Sequence, residues 1–240
     1  MCRPKVRDAS YHDIPQIAES LAQAFWDDNM LGDLVHPHRD EFPDDMKLYW
    51  LRSARVNWWD WRWKFLVAVH QDEETGREIV VGCAQWTRLG NGGKKMELWK
   101  LDPRNLLKPA SKVAMKIHKR LWPNRAADPP QEDILDRAHP HFEHMYTGER
   151  AECWYLSWLG VHPDYQGQGF GRELVRWGLD RAEAEGAWAS VIASKGKDPF
   201  YRKCGFEFIE GSGGMGEGNP LADVEGANMH WKTPDGKKRV

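Results

Sequence analysis

The stretch Val161-His162-Pro163-Asp164-Tyr165-Gln166-Gly167-Gln168-Gly169-Phe170-Gly171-Arg172 sets glycines at three alternate positions. Lacking Cβ atoms, Gly167, Gly169 and Gly171 let successive backbone N–H groups converge on one anion. The apolar run over residues 154–161 reads as a buried strand, and a helical period starts at Gly169. A helix N-terminus adds about half a positive charge at that corner, so a pyrophosphate suits it. The bare pattern Gln-x-x-Gly-x-Gly, met at Gln166, Gly169 and Gly171, would arise by chance in roughly a quarter of chains this long. Context makes it specific: a strand feeds the turn and an amphipathic helix leaves it. A Walker loop would need Gly-Lys-Ser/Thr, which is absent, and the dinucleotide pattern from Gly167 fails at Arg172. The bland alternative is a glycine-rich turn without a ligand. His139, His141 and His144 with Glu143 have the donor types for a metal, but their spacing fits no tight ligand loop, and no metal is expected.

The elements that would position this corner follow from periodicity. A strand is expected over 5–9, then a helix over 14–26 capped by Asp13, with Ile14, Ile17, Ala18, Leu21, Ala24 and Phe25 on its apolar stripe. After a polar loop comes a helix over 44–61, then strands over 65–70 and 78–89 joined by a hairpin turn at 72–76. From 90 to 150 the pattern breaks at repeated prolines, with one short basic helix between 110 and 122 carrying Lys112, Lys116, Lys119 and Arg120, preceded by Lys108. That helix is either a solvated face or a docking patch for an acidic partner. Order returns with the strand 154–161, a helix over 169–185, a strand over 188–194, a short helix over 199–203 and strands over 206–210 and 228–232. Leu174, Val175, Leu179 and Ala182 form the buried side of the 169–185 helix, and Gly178 lets it approach the sheet at about 1 kcal/mol relative to Ala. Five glycines between 211 and 218 predict a mobile turn. The whole reads as one α/β (α+β) domain over 1–240 with an inserted segment at 90–150.

At these residues the chain resembles the GNAT superfamily of acetyl-CoA-dependent N-acetyltransferases, and within it the fungal-type small-molecule branch. The strand Tyr155-Leu156-Ser157-Trp158-Leu159-Gly160-Val161, followed by Gln166-Gly167-Gln168-Gly169-Phe170-Gly171, is similar to that family's cofactor motif. Asp198-Pro199-Phe200-Tyr201-Arg202-Lys203-Cys204-Gly205-Phe206 resembles its second signature, one helix and one strand downstream. The resemblance implies a mixed, mostly antiparallel sheet of six to seven strands flanked by helices, with a parallel pair splayed at the cofactor site. It implies acetyl-CoA as co-substrate, its pantetheine arm along Leu159, Gly160 and Val161. Its pyrophosphate would lie on the amides of Gln168, Gly169, Phe170, Gly171 and Arg172, with Gln166, Gly167, Ser194 and Lys203 completing the site. A backbone N–H at a bulge in the strand would polarise the thioester carbonyl.

Tyr201 matches the family tyrosine that protonates the departing thiolate, a role that a phenol of pKa about 10 suits; the alternative is that it packs beside the sulfur. The acceptor nitrogen must lose a proton. An alkylamine is only about 0.04% neutral at pH 7, an obstacle of about 4–5 kcal/mol unless a base or desolvation assists. The base is open among Glu152, Tyr155 and Ser157; the arylalkylamine branch has histidines where Tyr155 and Ser157 stand, so its proton relay is not reproduced. Acceptors of the family enter near Trp26, Asp27 and Asp28 and the late hairpin, and Trp58, Trp59, Trp61 and Trp63 form either an aromatic wall there or part of the core. The implied activity is acetyl transfer to a primary amine of a small molecule through a ternary complex. The alternatives are peptide acetylation, supported by the basic helix, or a binding module that has lost catalysis, against which Tyr201 stands.

Bulk composition is consistent with that reading. The 240 residues are 41% hydrophobic and 29% charged, as in a globular domain. A formal charge of -2 gives no general pull toward nucleic acid or membrane, so neither is expected as a partner. Cys2, Cys83, Cys153 and Cys204 are scattered without C-x-x-C spacing, which fits reduced thiols in a cytoplasmic setting. The N-terminal residues lack the apolar run of a secretory signal, and no stretch approaches 18 apolar residues. The 14 tryptophans are expected mainly in the core.

Overall fold

The computed structural model describes residues 4–72, 76–96 and 102–234. Strands form where apolar and β-branched residues alternate or run together: Lys5–Asp8 (β1), Trp63–Gln71 (β2), Glu78–Arg88 (β3), Cys153–Val161 (β4), Trp188–Ser194 (β5), Phe208–Ser212 (β6) and Gly226–Lys232 (β7). They make one sheet in the order β1-β2-β3-β4-β5-β7-β6. Every pairing is antiparallel except β4 with β5, as expected. Helices are Ile14–Ala24 (α1), Lys47–Asn57 (α2), Gly90–Lys95 (α3), Arg104–Leu121 (α4), Ile134–Phe142 (α5), Phe170–Glu185 (α6) and Asp198–Cys204 (α7).

The helices cover both sheet faces, which is why β3 is buried from Val80 onward. On one face Ile17 and Leu21 of α1 and Trp50 of α2 pack over Val67, Cys83 and Met229. On the other, Leu174, Val175 and Leu179 of α6 pack over Leu66, Trp86 and Leu156. Trp50, Trp86, Trp154 and Trp231 are fully buried, so much of the tryptophan content is core.

Four local expectations are corrected. Asp13 precedes α1, but its carboxylate turns back to accept from Ser10 N at 2.6 Å and from both Arg7 terminal nitrogens, at 2.7 and 3.1 Å. The nearby guanidinium outcompetes a helix amide. The described residues of 90–150 are largely helical, and Pro109 and Pro140 lie inside helices rather than ending them. An interior proline forfeits a backbone bond, yet α4 is held to its neighbours on both sides of Pro109. Lys108 pairs with the buried Asp60, and Ser111 Oγ donates to Arg55 O at 2.9 Å. Gly211 belongs to β6, and the glycine segment after it is laced together. Gly213 N donates to Ala227 O at 2.8 Å, and buried Asn219 donates to Gly213 O and Met215 O at 2.9 and 2.6 Å. Asn29–Leu34, expected as loop, forms a π-helical turn. Of the hairpin turn, residues 73–75 lie outside the described residues.

Candidate active site

β4 and β5 pair only from Cys153 with Trp188 to Leu156 with Val191, and then part. The separation starts at a bulge: Gln85 of β3 faces Trp158 and Trp86 faces Leu156, leaving Ser157 as the extra residue. The bulge shifts the side-chain alternation. Trp154, Leu156, Leu159 and Val161 pack on the α6 side, whereas Cys153 and Trp158 pack on the α1 side. Between the parted strands runs a cleft of about 1530 Å³, reaching from α6 and α7 across β4 to α2, α4 and α5.

At one end of the cleft lies the strand-to-helix corner. Gly167 and Gly169 have φ of +75° and +92°, conformations that side chains with a Cβ rarely adopt. Gln166 Nε2 donates to Val161 O at 2.9 Å, and Gln168 Nε2 to Asp164 O at 3.3 Å, tying the turn back on itself. Among the described residues, no protein acceptor takes a hydrogen bond from the amides of Gln168, Gly169, Phe170, Gly171 or Arg172. The next amide, Glu173 N, is the first to be used, donating to Gly169 O at 3.2 Å. Five consecutive free donors on the wall of the cleft, at the positive end of a 16-residue helix, make an anion cradle.

Facing the cleft from α7 is Tyr201, 7% exposed, its ring against Phe200, Phe206 and His230. Burial is the main cause that pushes its phenol above the ordinary value, with Cys204, Tyr155 and Asp28 adding to it. The first residue of α7 is clamped to β7. Asp198 accepts from His230 Nε2 at 2.7 Å and from Asn228 Nδ2 at 3.1 and 3.2 Å. His230 is fully buried, and its Nδ1 has no partner among the described residues. Sequence reading missed this pair. The signal was available in part, because Asn228 and His230 alternate on one face of β7, but their partner lies 30 and 32 residues earlier.

The family model described as the acetyltransferase (GNAT) family matches residues 118–206, which hold both the corner and Tyr201. A protein of Stachybotrys chartarum described as an acetyltransferase is 24% identical over 204 residues, covering 85% of this chain and 80% of its own length. A crystal structure from Corynebacterium glutamicum, titled histone acetyltransferase HPA2 and related acetyltransferase, superposes with a TM-score of 0.57 at 20% identity, covering all of both chains. The PaiA N-acetyltransferase of Thermoplasma acidophilum, crystallised with coenzyme A, gives 0.50 at 12% identity over 97% of this chain and 99% of its own. Residues 118–206 thus match the GNAT acetyltransferase family, and the chain as a whole shares the fold of the Corynebacterium acetyltransferase.

The remaining candidate residues separate into those on the cleft and those elsewhere. Leu159, Gly160, Val161, Gly167 and Ser194 line it, as do Tyr155 and Ser157. Lys203 does not, and neither does Glu152. The Glu152 carboxylate accepts from Asn91 N at 2.6 Å and Gly92 N at 2.9 Å, and pairs with the buried Arg88 at 2.8 Å. Burial works to raise its pKa, but the two amides and the guanidinium prevail and hold it below the ordinary carboxylate range. Burial pushes the Tyr155 phenol up, and its ring packs edge-on against Tyr146, 5.6 Å between centroids.

Of the residues expected at the acceptor, Asp27 and Asp28 line the cleft, while Trp26 packs against the core. Asp28 Oδ1 is already engaged, accepting from Met30 N at 3.0 Å and Leu31 N at 2.8 Å as the cap of the π-helical turn. The aromatic wall is made by Phe25, Tyr49 and Trp158, whose rings meet edge-on at 5.9 and 6.2 Å. Of the tryptophans expected there, only Trp63 reaches the cleft; Trp58 packs on Phe65, and Trp59 on Tyr11. His139 and Glu143 lie 3.6 Å apart, and the described residues hold no group of three potential metal ligands. No helix among them is long and apolar enough to cross a membrane.

Proposed function

We propose that this protein transfers the acetyl group of acetyl-CoA to a primary amine of a small molecule by direct attack while both are bound, working in the cytoplasm as one domain that carries 90–150 as an insertion. The observation behind the reading is the row of free amides from Gln168 to Arg172 beside a strand pair that opens at Ser157. The residues fit such a cofactor. The cradle has five N–H groups for a diphosphate, and β4 beyond Leu156 has lost its β5 partner and offers its edge to an extended, amide-bearing arm. The coenzyme A complex of the Thermoplasma protein, which has this fold, supports the same assignment. The cofactor supplies an activated acyl group.

The chain's own residues do the rest. The cradle and β4 fix where the acyl group sits, and an N–H at the Ser157 bulge is the donor for charge growing on its oxygen. Tyr201, whose phenol keeps its proton across the working range because it is buried, is the acid for the leaving sulfur. A thiolate held beside that buried phenol would have its own proton affinity raised by the same burial. Phe25, Tyr49 and Trp158 form the apolar wall that desolvates an incoming amine, lowering the cost of its neutral form. Ser157 and Tyr155 are the cleft groups placed to relay its proton through water; Glu152 faces the Asn91 and Gly92 amides instead.

The test is to titrate acetyl-CoA and then follow thiol release over a panel of amines, diamines, amino acids and peptides. Binding with thiol release on small amines is the expected result. Binding without release on any acceptor would favour a regulatory module, and release confined to peptides would favour peptide acetylation.

A further inference from the structure

Seven large apolar side chains are exposed among the described residues, and six of them belong to α4 and the residue that ends it: Leu106, Leu107, Val113, Ile117, Leu121 and Trp122, between 38% and 77% exposed. Scattered exposed apolar residues need no explanation, but a contiguous set does. No residue of α4 is buried. The helix is nevertheless amphipathic, and its apolar side faces away from the protein. Val113, Ile117 and Leu121 recur at spacings of four, extending the line begun by Leu106 and Ala110. One position earlier runs a parallel row at the same spacing, Lys112, Lys116 and Arg120. Three other cations of α4 are neutralised, Arg104 by Asp102, Lys108 by Asp60 and Lys119 by Glu132. The Lys112, Lys116 and Arg120 row has no ion pair among the described residues, and α4 contains no acidic residue.

We propose that α4 is a peripheral membrane-docking helix that lays its apolar row into the interface of an anionic lipid bilayer, with Lys112, Lys116 and Arg120 at the head groups. Three features favour a bilayer. The apolar row lies on the exposed outer side of a single helix of 18 residues, about 27 Å long, the shape that lies flat in an interface. The cation row borders it along its length, and Trp122 ends it, the residue types that anchor at head-group level. A second copy of this chain is disfavoured by charge. With no acid on α4, a two-fold pairing of these faces would set cation rows together with nothing to neutralise them. The formal charge of -2 conceals this patch because acidic residues elsewhere cancel it. Lys112 and Lys116 also stand at the rim of the cleft, so docking would bring its mouth to the lipid surface.

The experiment is flotation of the full chain with phosphatidylcholine vesicles, with and without phosphatidylserine, at low and high salt. Binding is expected only with the anionic lipid, weakening as salt shortens the screening length from about 10 Å at 0.1 M to about 3 Å at 1 M. Each of Lys112→Gln, Lys116→Gln and Arg120→Gln should weaken it about fivefold. Val113→Asp with Ile117→Asp should abolish it while leaving thermal melting and acetyl transfer unchanged, since both side chains are largely exposed. No binding to anionic vesicles at low salt would overturn the proposal. So would binding that survives the Val113→Asp/Ile117→Asp change, or a concentration-dependent dimer lost in that variant with no vesicle association. Flotation and thermal melting do not require the acetyltransferase reading, so either can fail alone.

Discussion

Gly178→Ala probes how tightly the helix bearing the anion cradle is seated on the sheet. Gly178 lies on α6 one turn after Leu174, directly over Trp86 of β3. A Cβ there would come within 2.1, 2.3 and 2.4 Å of the Cε2, Cζ2 and Cδ2 atoms of that indole. Carbon atoms pack at about 3.5–4.0 Å, so helix and ring would have to separate by more than about 1 Å. Trp86 has nowhere to go: it is fully buried, and its Nε1 donates to Leu174 O at 3.3 Å on the same helix face. Overpacking costs about 1–3 kcal/mol and an orphaned buried donor about another 1–3, against about 1 kcal/mol gained in helix propensity. The expected net loss is about 3 kcal/mol, or roughly 6–12 °C in melting temperature for a chain of this size. Denaturant unfolding should show a lower midpoint at unchanged slope. Trp86→Leu, itself destabilising, should remove most of the clash, so the double variant should lose less than the two single losses added together. A Gly178→Ala protein that melts at or above the wild type, as propensity alone requires, would refute this packing.

Other outcomes follow from the site. Tyr201→Phe should lower kcat by about 10²-fold or more while calorimetry shows coenzyme A affinity intact; an unchanged kcat would remove the phenol from proton transfer. Asp198→Asn should cost about 1.5–3 kcal/mol, because the carboxylate is hydrogen-bonded to buried His230. Burial alone would raise the Asp198 carboxyl, but His230 and Asn228 hold it below the ordinary range. The stability it adds is therefore complete above about pH 4 and is lost as pH falls through the lowered folded value, so the gap between wild type and variant should close only in strong acid. Glu152→Gln should destabilise modestly, about 1 kcal/mol given its exposure, with kcat nearly unchanged. A fall of tenfold or more per folded molecule would restore Glu152 as the base.

How much could be read from the chain depended on the reach of each interaction. The Gln166–Arg172 corner was legible because its causes are local: glycines that permit positive φ, a strand that ends, and a helix whose first amides have no earlier carbonyl to bond. The apolar stripes of α1 and α6 were legible for the same reason, since periodicity is a property of neighbours. Pro109 and Pro140 were misread as boundaries because the ties that hold α4, to Asp60 and Arg55, come from residues more than 40 positions away.

The sequence alone determined the glycine corner, the position of Tyr201 just after the 188–194 strand, and the helix-and-strand order outside 90–150, because each is written in a few consecutive residues and the intrinsic preferences of their backbone. Only the tertiary structure decided that Asp198 meets His230, that Glu152 answers the amides of Asn91 and Gly92, and that Trp158 rather than Trp58 lines the cleft. Those choices belong to sheet register and helix docking, where one bulged residue at Ser157 redirects the side chains that follow it and no local pattern announces the shift.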